Sequence, residues 1–523
     1  MAARRLILLG LLLLVATLAA TSCGTKDAAT QQLQAMVSYT DDDIIHFLRR
    51  TQFGARTGDI ERVRDARMDP FTIRLNSQAH GASGLPAFVD QILTYPRPVV
   101  FGPGDPVFEN ALLRQITDAT FPSESEMARW SVDMMVHTDN PFQELLALFW
   151  HDLFATSTEV LTDGDRMHWF FDHYNLWRRY GSGNLRDLLF RMSTDWAMIR
   201  WLDGYNSTAN APNENFAREF FELFTLGVDN GYTQNDIVEA SRAFTGFRIR
   251  TVPGGQAYVE YDPARHDTTD KTIFGRVLKG RSGPDSYLEY LDMVNLTLAN
   301  RGVAEFICKR LYEFFVHTNP SQAIVDHLAE TLRQSDYELK AVLRVLLTSN
   351  AFYGATAKAG LVKSPAEYIV GFIRSTGLEI PFTTLDSRLL DSGQRPTQPP
   401  TVNGWPTEYL WLTGQGMLER TNLVRECITD RNYQNPRGIT VEAILPAPSQ
   451  RSAANVVNTF IRLLGITPSA TERQRYVDYL NTDMNGSSIV FADPFDGNNA
   501  TQIDKKVRGL LYIMAQHPTY HVR

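Results

Sequence analysis

Two carboxylates and an amide share one face of a helical segment near the middle of the chain. Asn215, Glu219 and Glu222 follow the spacing i, i+4, i+7 within the sequence PNENFAREFFELFTLG. At about 100° per residue of an α-helix, this spacing places the three side chains on one side. Paired carboxylates can hold a divalent metal ion or exchange a proton with a substrate. We therefore take Glu219 and Glu222 as candidate catalytic residues and metal ligands, and Asn215 and Arg218 as candidate binding residues.

The same face also permits a purely structural interpretation. Glu214 and Glu222 each stand four residues from Arg218. They could form ion pairs on a solvated face, each worth about 0.2–0.5 kcal/mol. Leu226 favours a covered face instead, because α-helical geometry puts this apolar side chain on the stripe of Glu219. Both interpretations remain open at this stage.

The helix that carries these residues has signals at both ends. Asn213 can cap its first turn, and Gly227 can adopt the left-handed conformation that closes the last one. Phenylalanines occupy the side opposite the acids, so the helix should be anchored in an apolar core. Similar periodicity predicts further helices at approximately 141–154, 164–179, 184–202, 234–246, 301–316, 320–333, 337–349, 364–376, 416–428, 451–464, 469–482 and 502–516.

Short runs rich in β-branched and aromatic residues interrupt the helical pattern between residues 247 and 279. The predicted fold class is therefore mainly α, a large multi-helix body with a small β excursion near residues 247–279. We divide it into a helical body, residues 38–430, and a C-terminal helical extension, residues 431–523, packed on that body. The Pro-rich loop at 393–406 could separate two domains or pack as an ordered loop over one body.

Further candidate residues lie outside the acidic helix. His151 follows two aromatic residues, where a neutral imidazole could be a metal ligand, a general base or a satisfied core histidine. His266 and Asp267, with Lys271 nearby, lie in a polar loop, and loops carry sites more often than cores do. A turn with a surface histidine is the alternative there. Trp405 lies in the sequence NGWP. Its ring could stack against a sugar, or it could pack into the helical body as a plug.

Export is predicted from the N-terminus. Arg4 and Arg5 precede an apolar run at 6–20, and small residues then lead to Cys23. This pattern is typical of a lipoprotein signal peptide over residues 1–23, with Cys23 as the lipidation site. A plain signal peptide with an incidental cysteine is the alternative. Residues 24–37 are small and polar and predict a flexible tether. We expect a protein of the bacterial cell envelope, bound to the membrane through a lipid anchor.

Composition excludes several classes of function. The 523 residues are 43% hydrophobic and 21% charged, which is enough apolar sequence for a large core. The net charge of −8 gives no sign of the basic surface that nucleic-acid binding requires. The sequence lacks the Walker loop, GxGxxG, HExxH, CxxC and GxSxG motifs. Export makes a disulfide between Cys308 and Cys427 chemically possible, but buried free thiols are the commoner outcome.

Several motifs occur together in a characteristic order. They are FWHDLFATS from Phe149, AMIRWLD from Ala197, PNENFAREFFELFTLG from Pro212, GYTQNDIVEASRAFTGF from Gly231, HD at His266, KSPAEYIV from Lys363 and PPTVNGWP ending at Pro406. Together they resemble the DUF1800 family of large, mostly exported bacterial proteins, for which no biochemical activity is established. The resemblance spans most of the chain and matches the last hundred residues weakly. The family pattern reads approximately WHNHF, whereas Leu153 replaces the second histidine here.

Two functional hypotheses follow. In the first, Glu219, Glu222 and Asn215 converge with His151 and with His266 or Asp267 on one polar cleft. That cleft would support acid/base or metal-dependent hydrolysis of an envelope substrate, with a divalent metal as the possible cofactor. In the second, the same residues form a structural network in a noncatalytic envelope scaffold or carbohydrate-binding lipoprotein. The partner would be an envelope polysaccharide or another exported protein.

Overall fold

The chain folds into a mainly helical body, as the sequence predicts. The computed structural model describes residues 28–67, 83–94, 123–161, 167–251, 257–358, 360–429, 440–485, 488–490 and 494–523. After a short helix at 28–33, the α-helices up to the first strand are α1 (Asp41–Thr51), α2 (Asp59–Arg64), α3 (Gly84–Thr94), α4 (Glu124–His137), α5 (Pro141–Leu153), α6 (Met167–Tyr180), α7 (Leu185–Ser193), α8 (Trp196–Trp201), α9 (Glu214–Glu219) and α10 (Gln234–Ala243).

The remaining helices complete the body. They are α11 (Glu289–Leu298), α12 (Arg301–Phe315), α13 (Gln322–Gln334), α14 (Leu339–Thr348), α15 (Asn350–Tyr353), α16 (Ala355–Lys358), α17 (Pro365–Thr376), α18 (Phe382–Asp391), α19 (Gly414–Thr429), α20 (Ala453–Leu464), α21 (Ala470–Leu480), α22 (Ala500–Gln502) and α23 (Arg508–Ala515). Two π-helical segments, Phe220–Thr225 and Ile503–Val507, continue α9 and precede α23. None of the described helices is long and apolar enough to cross a membrane.

The β excursion near residues 247–279 is confirmed. It consists of two antiparallel hairpins, β1 (Phe247–Thr251) with β2 (Ala257–Tyr261) and β3 (Lys271–Ile273) with β4 (Arg276–Leu278). Phe247 pairs with Tyr261 in the first hairpin. A third antiparallel pair joins β5 (Asp483–Asn485) to β6 (Ser488–Val490).

Local capping explains where many helices begin. Thr40, Ser123 and Ser364 each accept a hydrogen bond from the amide three residues on, and the acid at that position reaches back to the cap. This reciprocal arrangement satisfies two amide groups that the first turn would otherwise leave without partners. Such boundaries are set by the sequence itself.

The Pro-rich loop is part of the body. The side chains of Gln394 and Thr397 are buried, and the Gln394 amide oxygen accepts a hydrogen bond from the Ala366 amide at 2.9 Å. Thr397 contributes its carbonyl oxygen to the Thr158 amide at 3.1 Å. Because these bonds join the loop to elements that precede it in the chain, the loop is ordered and packs on the helical body.

The C-terminal segment packs directly on the body. The Arg523 amide donates to the Leu361 carbonyl at 2.9 Å, and the Arg523 guanidinium forms a buried ion pair with Glu367. Tyr368 on α17 stacks against His521, with ring centres 5.1 Å apart. The two cysteines of the described chain, Cys308 and Cys427, are both buried free thiols.

The start of the described chain corrects the predicted tether. Residues 28–33 are helical, and Ala29 and Leu33 are buried in the core. Ala35 forms a β-bridge with Ser349, and the Met36 amide donates to the Thr348 carbonyl at 2.9 Å. Polar composition concealed the two apolar residues that dock this segment. Residues 1–27, including the predicted signal peptide and Cys23, lie outside the described residues.

Candidate functional site

The acidic face of α9 is a partly solvated ion-pair surface. The Arg218 guanidinium lies 3.2 Å from a Glu214 oxygen and 3.5 Å from a Glu222 oxygen, as in the structural interpretation. Asn215 is exposed, and Glu219 is partly exposed. Burial, followed by repulsion from Glu222, raises the pKa of Glu219, and Arg218 opposes both effects. This surface can attract a cation only weakly, because Arg218 neutralises much of its charge.

Leu226 does not cover the acidic face, because the helix changes its winding before this residue. From Phe220 to Thr225 the helix is π-helical, and the Leu226 amide bonds to the Phe221 carbonyl five residues back. Each π turn takes up an additional residue, which rotates the following side chains around the axis. Leu226 therefore points into the core, fully buried, while Glu219 stays at the surface.

His266 and Lys271 belong to a fully buried network centred on Glu289. The His266 Nε2 atom lies 3.0 Å from Glu289 Oε2, and the Lys271 ammonium pairs with the other carboxylate oxygen. Thr245 Oγ1 lies 3.0 Å from His266 Nδ1. The Arg281 amide also donates to Glu289 at 2.8 Å. Because every charged group has a partner, the network locks the second hairpin onto α11.

Asp267 lies beside this network and pairs with a different residue. Its carboxylate accepts a hydrogen bond from Arg242 Nε at 2.8 Å and another from the Thr269 amide at 2.9 Å. Burial alone would raise the pKa of Asp267, but these hydrogen bonds outweigh it and lower the pKa to about 2. A carboxylate held in its charged form in this way is a poor proton donor at neutral pH.

The candidate residues are not joined in one site by any described hydrogen bond or ion pair. The described hydrogen bonds and ion pairs connect Glu219 and Glu222 to neither His151, His266 nor Asp267. No group of three or more His, Cys, Asp or Glu side chains suited to a metal ion occurs among the described residues. The metal set of His151, Glu219 and Glu222 is therefore corrected: the His151 side chain is fully buried, whereas Glu219 and Glu222 are partly exposed.

His151 instead lies inside the body, among aromatic rings. Its side chain is fully buried, and the ring of Trp405 packs edge-on against it with centres 5.2 Å apart. Burial, with a contribution from His173, lowers the pKa of His151 well below its usual value, and the Pro396 carbonyl only partly opposes this. The imidazole is therefore neutral.

Trp405 is both a plug and part of a cavity wall. Its side chain is only 5% exposed, and its amide donates to Asp152 Oδ1 at 2.8 Å. Gly404 before it has φ of +80°, which brings its backbone against Asp152. Most of the indole of Trp405 is buried, in agreement with the plug interpretation, and its remaining edge faces a cavity.

This cavity has a volume of about 440 Å³ and lies where three of the sequence motifs meet. FWHDLFATS contributes Phe149 and Asp152, KSPAEYIV contributes Ser364 and Glu367, and PPTVNGWP contributes Trp405 and Pro406. Its other charged and aromatic lining residues are Arg310, Glu313, Glu408, Arg523, Phe314, Tyr409 and Trp411. We call it the Asp152 cavity. Its size is typical of a site for a small ligand or part of a polymer.

The four acids in the wall are not equivalent. Glu367 pairs with Arg523 and caps α17, and Glu313 lies 3.7 Å from Arg310. Asp152 and Glu408, in contrast, form no ion pair with a described residue. Burial raises the pKa of Asp152 to about 6, although the hydrogen bond from Trp405 and the charge of Arg310 lower it.

Glu408 is held in an unusual backbone conformation. Its φ is +56°, in the left-handed region that costs a residue with a side chain about 1–2 kcal/mol. Burial raises the pKa of Glu408, and the Arg523 charge and the Val362 amide oppose that change. Strain of this kind persists where the surrounding structure enforces it, commonly at functional sites. Glu408 and Asp152 are thus two acids with a raised pKa, and acids of this kind are candidates for proton exchange with a substrate.

Sequence reasoning missed the residues that the fold brings together here. Asp152 stands beside His151 in FWHDLFATS, but neither it nor Glu408, Arg310 or Glu289 is a sequence-predicted site residue. Asp152, Glu367 and Trp405 lie in three of the sequence motifs. The assumption that these motifs meet at one place in the fold would have predicted the cavity. No local pattern marks Glu408 or Glu289, because their environment is made by residues distant in sequence.

Comparison with known proteins gives one family and no characterised relative. Residues 46–522 match the model of a family described as "Protein of unknown function (DUF1800)". No curated protein and no solved structure matches the chain. The matched region continues through the C-terminal segment without a boundary at residue 430, so the last hundred residues are part of the family region. Since the match covers nearly the whole sequence, the chain belongs to the DUF1800 family.

Proposed function

We propose that the protein is an exported lipoprotein that binds an envelope polysaccharide in the Asp152 cavity and hydrolyses it by acid/base catalysis. A single observation supports this proposal. Asp152 and Glu408 line a cavity together with aromatic rings, and both have a raised pKa and no ion-pair partner among the described residues. Hydrolysis of a glycosidic bond typically uses two carboxyl groups, one to donate a proton and one to activate water or attack.

Asp152 is the better candidate for the proton donor. With a pKa of about 6, a substantial fraction of its carboxyl groups carries a proton in weakly acidic solution. Glu408 would serve as the second carboxylate. The nearby charges of Arg310 and Arg523 favour an ionised acid or an anionic substituent on the ligand. Trp411 and Tyr409 offer flat apolar faces to sugar rings.

A binding function without catalysis is the second candidate. Its support is the exposure of Tyr409, which lines the cavity and is 80% exposed, and of the next residue, Leu410, which is 67% exposed. Exposed aromatic and aliphatic side chains beside a concave site are typical of ligand-binding surfaces. In this case Asp152 and Glu408 would accept and donate hydrogen bonds to the ligand, without cleaving it.

The test is binding and hydrolysis measured separately on wild type, Asp152→Asn, Glu408→Gln and Glu222→Gln. Soluble peptidoglycan and exopolysaccharide fragments are the probes, with binding followed by calorimetry and cleavage by new reducing ends. Catalysis requires that Asp152→Asn and Glu408→Gln still bind but cleave at least ~100-fold more slowly, while Glu222→Gln matches wild type. Binding without cleavage in wild type selects the second candidate. If wild type neither binds nor cleaves any saccharide, both proposals are wrong.

Membrane attachment through Cys23 is part of the same proposal. The N-terminal sequence supports it, and the first described residues dock on the body from residue 28 onward. Cys23→Ala should abolish incorporation of labelled palmitate and release the protein from the membrane fraction. Retention of the label in that variant would contradict the assignment.

A further inference from the structure

Two histidines meet inside the body, away from water. His151 on α5 and His173 on α6 are both fully buried, and their ring centres are 6.0 Å apart at an angle of 76°. Aromatic side chains surround them: Phe170 and Tyr174 pack on His151, and Trp177 packs edge-on against His173 at 4.7 Å. Trp405 separates the pair from the Asp152 cavity.

Most of the polar atoms of this pair have no hydrogen-bond partner. Neither ring nitrogen of His151 makes a hydrogen bond of good geometry, the nearby Pro396 carbonyl included, and neither does Nε2 of His173. A buried polar group without a partner is destabilising, so three in one place are a substantial penalty. The penalty disappears if the nitrogens bind a species that is not part of the chain.

His173 is oriented by a carboxylate. Its Nδ1 atom lies 2.7 Å from Asp195 Oδ1, which fixes a proton on Nδ1 and leaves the Nε2 lone pair free. Histidines that bind metal ions usually have this arrangement, with the second nitrogen donating to a carboxylate. Asp195 is itself held in place, because the same oxygen caps α8 by accepting from the Met198 amide at 3.0 Å.

The separation of the rings suits one shared ion. Metal–nitrogen distances are about 2.0 Å, so two imidazoles on one ion have ring centres at most about 6.5 Å apart. The observed 6.0 Å falls within that limit. No third His, Cys, Asp or Glu joins the pair among the described residues. The ion must therefore be one that is stable with two protein ligands.

Charge narrows the choice of ion. Asp195 is the one charged side chain that hydrogen-bonds to either ring among the described residues, so the site supplies one negative charge. A monovalent cation would be neutralised, whereas a divalent cation would leave a net charge buried among aromatic rings, which is costly. Cu⁺ is monovalent, accepts two ligands in a line and binds imidazole. We propose that His151 and His173 together bind a single Cu⁺ ion inside the body.

The experiment loads the full-length protein, purified in detergent, with Cu⁺ supplied as its acetonitrile complex under nitrogen. Loading is repeated after a cycle of unfolding and refolding, because the site is enclosed. Variants are His151→Phe, His173→Phe and, as a matched control, His327→Gln, which removes an exposed imidazole. His151→Phe breaks no well-formed hydrogen bond, since neither of its nitrogens has one. All variants keep the three cysteines, so thiol binding is the same in each.

The expected result is one more equivalent of Cu⁺ in wild type and in His327→Gln than in either phenylalanine variant. X-ray absorption of that equivalent should show nitrogen neighbours, whereas Cu⁺ on thiols shows sulfur. Asp195→Asn keeps both imidazoles and should weaken binding about tenfold or more, which tests the site even if His173→Phe does not fold. Equal Cu⁺ content in wild type and His151→Phe would overturn the proposal. So would a stoichiometric Zn²⁺ complex that excludes Cu⁺.

Discussion

At the scale of single residues, Glu289 and Glu222 differ sharply in what surrounds them. Glu289 is fully buried between Lys271 and His266, whereas Glu222 is partly exposed and lies 3.5 Å from Arg218. We predict that Glu289→Gln lowers the free energy of unfolding by about 3–5 kcal/mol, because it leaves the Lys271 ammonium buried without a negatively charged partner. Glu222→Gln should cost less than about 1 kcal/mol.

Urea unfolding of both variants measures the difference directly. The two substitutions remove the same charge and change the side-chain volume equally, so the contrast isolates the surroundings. A similar small loss in both would mean that the Glu289 network is hydrated. A large loss in both would mean that the face of α9 is covered after all.

A second prediction at this scale concerns pH. The pKa of Asp152 is about 6 in the folded protein, above its ordinary value of 3.8, so the folded state holds the proton more tightly than the unfolded state. Stability therefore falls as pH rises from about 4 through 6 and stays reduced above that. Asp152→Asn should be more stable than wild type by about 3 kcal/mol at pH 8, and the difference should vanish near pH 4.

Unfolding curves for both proteins at pH 4, 6 and 8 give this comparison. The amide introduced by Asp152→Asn would still present an oxygen to the Trp405 backbone N–H, so the loop should keep its position. A difference that does not change with pH would show that the carboxyl group is not responsible. Asp267, whose pKa is lowered, has the opposite effect on the pH dependence of stability. Its contribution is lost only as the pH falls below about 4.

At the scale of elements, the loop before Trp405 depends on one glycine. Gly404 has φ of +80°, and a Cβ atom there would collide with the Asp152 carboxylate and carbonyl oxygens. Gly404→Ala should therefore add a collision of about 1–3 kcal/mol to the backbone strain of about 1 kcal/mol. Gly275, with φ of +69° and free space around its Cβ position, should show the strain alone when changed to Ala.

Thermal and urea unfolding of the two alanine variants separate collision from strain. We expect Gly404→Ala to lose at least about 1 kcal/mol more than Gly275→Ala. Its tryptophan emission should also move to longer wavelength, since Trp405 would leave its place against His151. Identical losses in the two variants would show that the loop adjusts without cost.

The elements also show how far local sequence determines this fold. Helices such as α12, α14, α17 and α20 begin and end within two residues of their predicted limits, because caps and apolar periodicity are local properties. The π-helical segment at Phe220–Thr225 was not predicted, because its apolar residues follow ordinary α-helical spacing. Because of this change in winding, Leu226 points into the core instead of lying on the acidic face. The main reason for expecting a covered reaction centre on that face is therefore removed.

The candidate site was less predictable than the helices for the same reason. Asp152 and Trp405 are bonded across 253 positions of sequence, and His173 reaches His151 from a different helix. A single sequence contains no measure of such distances. What it did contain was the set of motifs, and three of those segments surround the Asp152 cavity.

At the scale of the whole molecule, docking of residues 28–36 limits how far the body can lie from a membrane. If Cys23 carries a lipid, only residues 24–27 separate it from the docked helix. Whatever their conformation, that connection spans at most about 18 Å. The body should therefore stay close to the bilayer, in contrast to the freely moving body that a tether over residues 24–37 would allow.

Energy transfer to a fluorescent lipid tests this last prediction. Val37→Cys provides a fully exposed thiol, whereas Cys308 and Cys427 are buried with a raised pKa and should not react. In vesicles, a donor at residue 37 should transfer efficiently in the native protein. It should do so poorly when about 20 Gly/Ser residues are inserted after Cys23, because the connection then extends about 25–30 Å on average. Replacing Leu33 by Asp should undock the helix and reduce transfer without any insertion, and equal transfer in all three proteins would contradict the docked arrangement.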